Sequence, residues 1–111
     1  MFLIVTKYLI PKGYRGLALF PFVFVKYSLD KKNPVFVNHE RIHLRQQLEL
    51  LIVPFFVLYF LEFFLRLIQY RNVDLAYRNI SFEREAYANE KDLDYLKQRS
   101  FWKFLKYIKT Y

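Results

Sequence analysis

The chain has 111 residues, a length that suits one domain. It is 55% hydrophobic and 22% aromatic, yet its formal net charge is +8, which is not typical of an ordinary soluble domain. Such a composition favours anionic lipid as a neighbour over nucleic acid, because the basic residues follow apolar helices and form no dense stripe. The sequence contains no cysteine, which excludes disulfides and thiolate metal ligands.

Residues 1–37 predict a small sheet. Residues 1–10 read as a short strand, and the glycines and proline of 11–16 indicate turns. Residues 17–28 are rich in Phe and Val and predict a second strand, where Pro21 favours a sheet edge or a bulge. Residues 35–37 predict a brief extended piece. The strand over 17–25 is a candidate edge for an extended peptide.

The pattern becomes helical at Asn38, which is a candidate N-cap. Residues 48–70 form an apolar tract long enough to cross a bilayer, but Pro54 interrupts it. Residues 80–98 predict a polar helix. The segment 99–111 predicts a basic amphipathic tail, with an apolar face over 101–108 that is typical of an anchor at a membrane surface.

The only two histidines, His39 and His43, lie four residues apart in "HERIH". On a helix this spacing places both imidazoles on one face, where they can bind one zinc ion. Glu40 lies on the same turn, and the pattern predicts that it acts as general base and acid toward a zinc-activated water. The purely structural alternative is a pair of helix histidines that form local hydrogen bonds.

A zinc peptidase also needs a third protein ligand, and no third histidine exists. That ligand must therefore be a carboxylate from the segments after the apolar tract, because Glu49 and Glu62 lie on the same helical tract as the histidines. These candidates remain open: Asp74, Glu83, Glu85, Glu90, Asp92 and Asp94.

Residues 80–90, "ISFEREAYANE", resemble the third-ligand helix of membrane-embedded gluzincins, the group of CAAX prenyl proteases and heat-shock peptidases. Ser81, Arg84, Glu85 and Ala88 match the pattern S-R-x-R-E-x-x-A-D, and Asn89 stands in place of the aspartate. The resemblance implies that Glu85 is the third zinc ligand and that Asn89 orients a zinc histidine. Tyr87 is a candidate donor to an oxyanion.

A shared metal site constrains the topology. If residues 48–70 crossed the bilayer once, His43 and Glu85 would lie on opposite sides and could not meet. We therefore predict a mostly helical α+β domain in which an apolar helical hairpin bends near Pro54. Glu62 and Arg66, four residues apart, would then face protein.

These features predict a small zinc metallopeptidase with a peptide or protein substrate, bound to lipid through 48–70 and 101–108. We expect the bacterial cytoplasmic membrane, with the site facing the cytoplasm, because no secretion signal opens the sequence and basic residues flank the apolar tract on both sides. The alternative is a non-catalytic accessory subunit of a membrane complex. Nucleic-acid binding is not expected.

Overall fold

The computed structural model describes residues 1–6, 8–10 and 13–108. It shows a small α+β fold in which a three-stranded sheet precedes the helices. Strands β1 (Phe2–Val5), β2 (Gly16–Leu19) and β3 (Phe22–Val25) have the order β1-β3-β2. β1 is parallel to β3, and β2 and β3 form an antiparallel hairpin. The predicted N-terminal sheet is confirmed. The single strand predicted over 17–28 is divided, because Pro21 lies in the turn between β2 and β3.

The helices follow a 3-10 turn at Ser28–Lys32. Their bounds are α1 (Pro34–Leu50), α2 (Ile52–Tyr70), α3 (Val73–Arg78), α4 (Ser81–Asn89) and α5 (Tyr95–Gln98), and a C-terminal 3-10 helix spans Lys103–Tyr107. The polar helix predicted over 80–98 is therefore two helices. The predicted tail is a short 3-10 helix, and residues 109–111 lie outside the described residues.

Helix α1 begins earlier than the sequence predicts, and residues 35–37, predicted to be extended, belong to it. Asn33 is its N-cap: the Asn33 side chain accepts hydrogen bonds from the backbone N–H groups of Val35 and Phe36. Pro34 occupies the first helical position, where its lack of an N–H costs nothing. The predicted N-cap, Asn38, lies inside α1. Its side chain instead donates to carbonyl oxygens just after α4, and so ties α1 to that helix.

The apolar tract breaks at Leu51 and not at Pro54. Leu51 has φ 63° and ψ 154°, which ends α1 and starts α2 in a new direction. Pro54 lies in the first turn of α2, where a backbone N–H has no partner within the helix. The break between the two helices therefore lies three residues before the predicted one.

Helix α1 lies between the sheet and α4. On one side it packs against a cluster that includes Val23 and Val25 of β3. On the other side Ile42 packs against Ala86 of α4. A further cluster joins α2 to α4 and the C-terminal 3-10 helix through Phe55, Phe82 and neighbouring aromatic residues. Contacts with the sheet on one side and with α4 on the other therefore hold α1 in place. The central face of α1 is the one that faces α4.

Helix α2 divides its surface between protein and solvent. It is long and apolar enough to cross a membrane, with a mean hydropathy of 1.8, and only 11% of its apolar window is buried. The charges of Glu62 and Arg66 point inward, as predicted: Glu62 accepts hydrogen bonds from the backbone N–H and hydroxyl of Ser81, and Arg66 is 3% exposed. The outward face of α2 carries exposed apolar side chains: Val53, Val57, Phe60, Leu61, Phe64, Leu65 and Ile68.

Candidate metal centre

The two histidines lie side by side on the central face of α1. Their ring centroids are 4.9 Å apart, and each residue is 6% exposed. The helix places them there because four residues make just over one turn. The arrangement predicted from the H-E-x-x-H spacing is therefore present, inside the protein and not on a solvated face.

The carboxylate that faces both imidazoles belongs to Glu83 of α4. Its Oε1 atom lies 3.2 Å from Nε2 of His39 and 3.0 Å from Nε2 of His43. The candidate ligand atoms of the three residues all lie within 4.8 Å of one another. The other oxygen of Glu83 accepts a hydrogen bond from the hydroxyl of Tyr59, at 2.6 Å. Tyr59 thus fixes the carboxylate with Oε1 turned toward the histidines.

Glu85, the third ligand implied by the resemblance, lies on the other side of α4. Two residues along a helix are about 200° apart, so Glu83 and Glu85 cannot both face the histidines. Glu85 forms a buried ion pair with Arg99 and accepts hydrogen bonds from Tyr95 and Gln46. The structure therefore places Glu83 beside the histidines, whereas Glu85 neutralises the buried guanidinium of Arg99.

The remaining ring nitrogens of the histidines also have partners. Nδ1 of His39 lies 3.1 Å from Oε2 of Glu90, and Nδ1 of His43 lies 2.8 Å from Oε1 of Gln46. Partners of this kind hold a metal-binding imidazole in one tautomer. Asn89, predicted for this role, instead donates to the carbonyl oxygen of Glu85 and to the hydroxyl of Tyr107.

Glu40 lies beside a cavity of about 280 Å³ that His43 and Glu83 also line. Aromatic side chains of α2, including Phe55 and Phe60, form the wall across from them. Strand β2 closes another side. A Cβ at Gly16 would lie 2.6 Å from the Phe36 ring and 3.2 Å from Oε1 of Glu40, so only glycine permits this close approach.

The candidate oxyanion donor, Tyr87, is not among the residues that line this cavity. Its ring packs edge-on against His39, with centroids 4.6 Å apart. Tyr77 and Tyr59 line the cavity instead. The Tyr77 and Tyr87 rings lie edge to face, with centroids 6.5 Å apart. Within the described part of the chain, a tyrosine donor toward the cavity is better placed on α2 or α3 than on α4.

Burial and charge shift three groups at the centre. Burial raises the pKa of Glu40, and the nearby histidines oppose this shift. For Glu83, burial is outweighed by the charge of His43 and by hydrogen bonds from both imidazoles, which hold its pKa well below the usual range. For His43, burial disfavours the charged form, but the charge and hydrogen bond of Glu83 raise the pKa to about 9.

The raised pKa of His43 makes the stability of the metal-free protein depend on pH. A group whose pKa is higher in the folded state stabilises the fold below its unfolded value, about 6.5, and loses that contribution as the pH rises through the folded value. We expect the free energy of unfolding to fall by on the order of 2 kcal/mol between pH 6.5 and 9. Urea unfolding in detergent with a chelator measures this. A stability that is constant or rises over that range contradicts the assignment.

The sequence assigned no role to three residues of the site, Gln46, Tyr59 and Tyr77, and it offered Glu90 only as a candidate third ligand. Gln46 carried a signal, because it follows His43 by three residues and so shares its helix face. The other three come from α2, α3 and the end of α4. Only the packing of those elements brings them to the histidines.

The donor set can hold a metal ion. Two imidazole nitrogens and one carboxylate oxygen converge, and each ligand is oriented by a further hydrogen-bond partner. Two histidines and a glutamate, with a fourth position left open, are a known set for catalytic zinc. Here the adjoining cavity supplies space next to the three ligands.

Comparisons of the chain with profiles of known protein families, with curated protein sequences and with solved structures find no match. The geometry of the site is therefore the basis of the function proposed below.

Proposed function

We propose that this chain is a small membrane-associated zinc metallopeptidase in which His39, His43 and Glu83 hold the metal and Glu40 is the general base. The observation that carries the proposal is the position of Glu83, whose single Oε1 atom lies within 3.2 Å of Nε2 of both histidines. The sequence left the third ligand open among several carboxylates. Glu83, on the separate helix α4, is the carboxylate that lies against both histidines.

The protein groups have distinct tasks in this reaction. Zinc held by these ligands supplies Lewis acidity, which polarises a carbonyl group and acidifies water. Glu40 accepts a proton from the attacking water and returns it to the leaving amine nitrogen. A base works best when its pKa lies near the working pH, and burial moves the pKa of Glu40 upward in that direction.

The surroundings of Glu40 suit a peptide with a large apolar side chain. Strand β2 is an edge strand, paired only with β3 among the described strands, and its residues 16–18 line the cavity. An extended substrate can add to such an edge by backbone hydrogen bonds. The aromatic wall from α2 then receives one apolar side chain next to the bond to be cleaved.

We expect one zinc ion per chain in protein purified without chelators. His39→Ala and His43→Ala each remove one of three ligands, so both variants should lose the metal. His39→Ala leaves the packing of α1 against the sheet in place, so its metal loss should occur in a folded protein. Elemental analysis measures the stoichiometry, and circular dichroism checks the fold. A wild-type protein that holds no metal and takes up none on addition of zinc contradicts the proposal.

Membrane association is proposed from the outward face of α2 and the C-terminal segment. The face has no charged side chain, and Phe101, Trp102 and Leu105 add exposed apolar surface near Lys103 and Lys106. Apolar area combined with positive charge favours binding to an anionic bilayer surface. The meeting of α1 and α4 at one centre requires that both ends of α2 lie on the same side, and we propose the cytoplasmic side of a bacterial membrane.

We expect cysteines placed at Lys31, before α2, and at Lys97, after it, to react alike with an impermeant thiol reagent in intact cells. Both positions are exposed, and the natural chain has no cysteine to interfere. Protection of both sites fits a cytoplasmic centre, and permeabilised cells provide the control for reactivity. Labelling of one site alone would show a single span, which is incompatible with the centre described above.

A non-catalytic accessory subunit of a membrane complex is the second candidate. It is favoured by the hydrogen bonds that Glu83 accepts from both histidines, which satisfy these buried groups without any ion. Zinc content and the effect of replacing Glu40 on peptide hydrolysis together separate the two candidates.

A further inference from the structure

A continuous series of hydrogen bonds joins residues 99–102, here called the 99–102 segment, to His43. At the inner end of this series, the side-chain oxygen of Gln46 lies 2.8 Å from Nδ1 of His43. The amide nitrogen of Gln46 donates to the carbonyl oxygen of Phe82 at 3.1 Å and to Oε1 of Glu85 at 2.9 Å. An amide nitrogen carries two hydrogens, so both of them have an acceptor.

The orientation of the Gln46 amide determines the tautomer of His43. A reversed amide would turn its oxygen toward the Phe82 carbonyl and the Glu85 carboxylate, which are both acceptors. The oxygen therefore faces His43, and only a ring nitrogen that carries hydrogen can donate to it. Nδ1 thus holds a hydrogen. In the neutral ring the lone pair is then at Nε2, the nitrogen that lies beside Glu83 and faces the position of the metal.

Arg99 orients the carboxylate that holds Gln46. Its Nε and Nη2 atoms donate to the two oxygens of Glu85, and its Nη1 donates to Glu49 at 2.5 Å. A guanidinium that binds both oxygens of a carboxylate sets the plane of that carboxylate, because its donors form a rigid fork. The hydroxyl of Tyr95 donates to Glu85 at 2.7 Å and holds the same plane. Glu85 is thereby fixed with Oε1 toward Gln46.

The guanidinium of Arg99 enters from a segment whose outer residues are exposed. Arg99 directly follows α5 and its side chain is 0% exposed, whereas Phe101 and Trp102 are 67% and 45% exposed. Glu49, near the end of α1, holds the segment. Its carboxylate accepts from the backbone N–H of Trp102 at 3.1 Å, and its carbonyl oxygen accepts from the indole N–H at 3.3 Å. The state of the metal-binding ring therefore depends on whether the 99–102 segment is docked at Glu49.

We propose that Arg99 is a positioning residue of the metal centre. When the 99–102 segment is docked, Arg99 orients the amide of Gln46 through the Glu85 carboxylate. His43 then presents a bare Nε2 to the metal. This inference rests on the proposed function, since it describes how one of the zinc ligands is prepared. By thermodynamic linkage, metal binding in turn strengthens the docking of the segment.

The first test is zinc titration of the full chain in detergent, with Arg99→Lys and Arg66→Lys as a matched pair. Lysine keeps the positive charge but cannot bind both oxygens of Glu85 and one of Glu49 at once. Arg66 is the control, because it is likewise buried and is paired with a glutamate of its own helix. We expect Arg99→Lys to weaken zinc binding about tenfold, the lower end for residues that orient metal ligands, and Arg66→Lys to leave it unchanged.

A measurement without metal separates this inference from the zinc proposal. The chain has two histidines, so labelling of their rings with nitrogen-15 gives a spectrum of two residues. At a pH above about 9, the pKa of His43 in the metal-free protein, the ring is neutral. We expect hydrogen on Nδ1 of His43 in wild type and in Gln47→Met, but both tautomers in Gln46→Met. Gln47 is the control, because its buried amide binds the backbone of Ala18 and Phe20 instead.

The docking itself is measured on the only tryptophan of the chain. Bound zinc should slow the deuterium exchange of the Trp102 indole N–H at least about threefold more in wild type and Gln47→Met than in Gln46→Met. This readout leaves Arg99 unchanged, so it decides the question even if Arg99→Lys does not fold, which circular dichroism checks. Equal slowing in all three proteins reflects global stabilisation alone and overturns the inference.

Two further outcomes overturn the inference: equal zinc affinity in the two lysine variants, and the same His43 tautomer in wild type and Gln46→Met. A wild type that takes up no zinc contradicts the proposed metallopeptidase. In that case, the nitrogen-15 spectrum of metal-free Arg99→Lys decides about the positioning residue. Loss of the preference for hydrogen on Nδ1 supports the role of Arg99, and retention of the wild-type tautomer overturns it.

Discussion

Glu40→Gln is expected to retain zinc and to lower the rate of peptide hydrolysis by about 10³-fold or more. General acid–base groups contribute about 10²–10⁴-fold, and the glutamine amide cannot accept the proton of the attacking water. The substitution changes no proposed ligand and preserves the volume of a side chain that lies against Gly16 and Phe36. Metal content and hydrolysis of a peptide library measure the two halves of the expectation separately.

Asp74→Asn is the matched control for this experiment. It makes the same change of charge at a carboxylate whose side chain is 73% exposed on α3. We expect wild-type zinc content and activity from this variant. If Glu40→Gln cleaves as fast as the control, Glu40 is not the base. If wild type and both variants bind zinc but cleave no peptide, the result supports the accessory-subunit candidate.

The second large effect separates Glu83 from Glu85. Glu83→Gln should weaken zinc binding by more than about 100-fold, because changes to residues that only orient ligands already cost about 10–100-fold. Glu85→Gln should retain the metal within about tenfold, since Gln46 lies between Glu85 and His43.

The effect of Glu85→Gln should appear in stability. Arg99 has a fully buried side chain that is paired with Glu85 and Glu49. Removal of one partner from a buried ion pair costs about 3–5 kcal/mol, and the remaining Glu49 moderates that loss. Zinc titration and urea unfolding of both variants in detergent give the two readouts. The reverse result, metal loss only in Glu85→Gln, would restore Glu85 as the ligand.

The choice between these two glutamates shows where the sequence stops informing. Phe82 and Ala86 form the buried stripe of α4, and Glu83 and Glu85 flank it at similar angles on opposite sides. Both are buried, so the hydrophobic pattern of α4 cannot distinguish which of them faces the histidines. Only the packing of α4 between α1 and the C-terminal segment decides which flank faces the histidines and which faces Arg99.

Other features were predictable because they depend on local chemistry. The spacing of His39 and His43 determines their common face on any helix, and the inward direction of Glu62 and Arg66 follows from the cost of exposed charge on an apolar helix. The helix boundaries were less predictable. Both Asn33 and Asn38 can act as N-caps, and Pro34 after Asn33 was the signal that favoured the earlier start.

The inward placement of Glu62 and Arg66 has a consequence for how the protein is made. Each charge near the centre of a helix costs about 2.5–3.5 kcal/mol when the segment is threaded into a bilayer during synthesis, and each apolar residue returns only about 0.3–0.6. In the unfolded chain, the cost of Glu62 and Arg66 therefore cancels most of the free energy that the apolar residues of α2 gain on insertion. Once Ser81 and Ile108 cover the two charges, the same helix offers lipid an uncharged face. On the proposed membrane association, α2 therefore meets lipid only after the chain has folded and these two charges are covered.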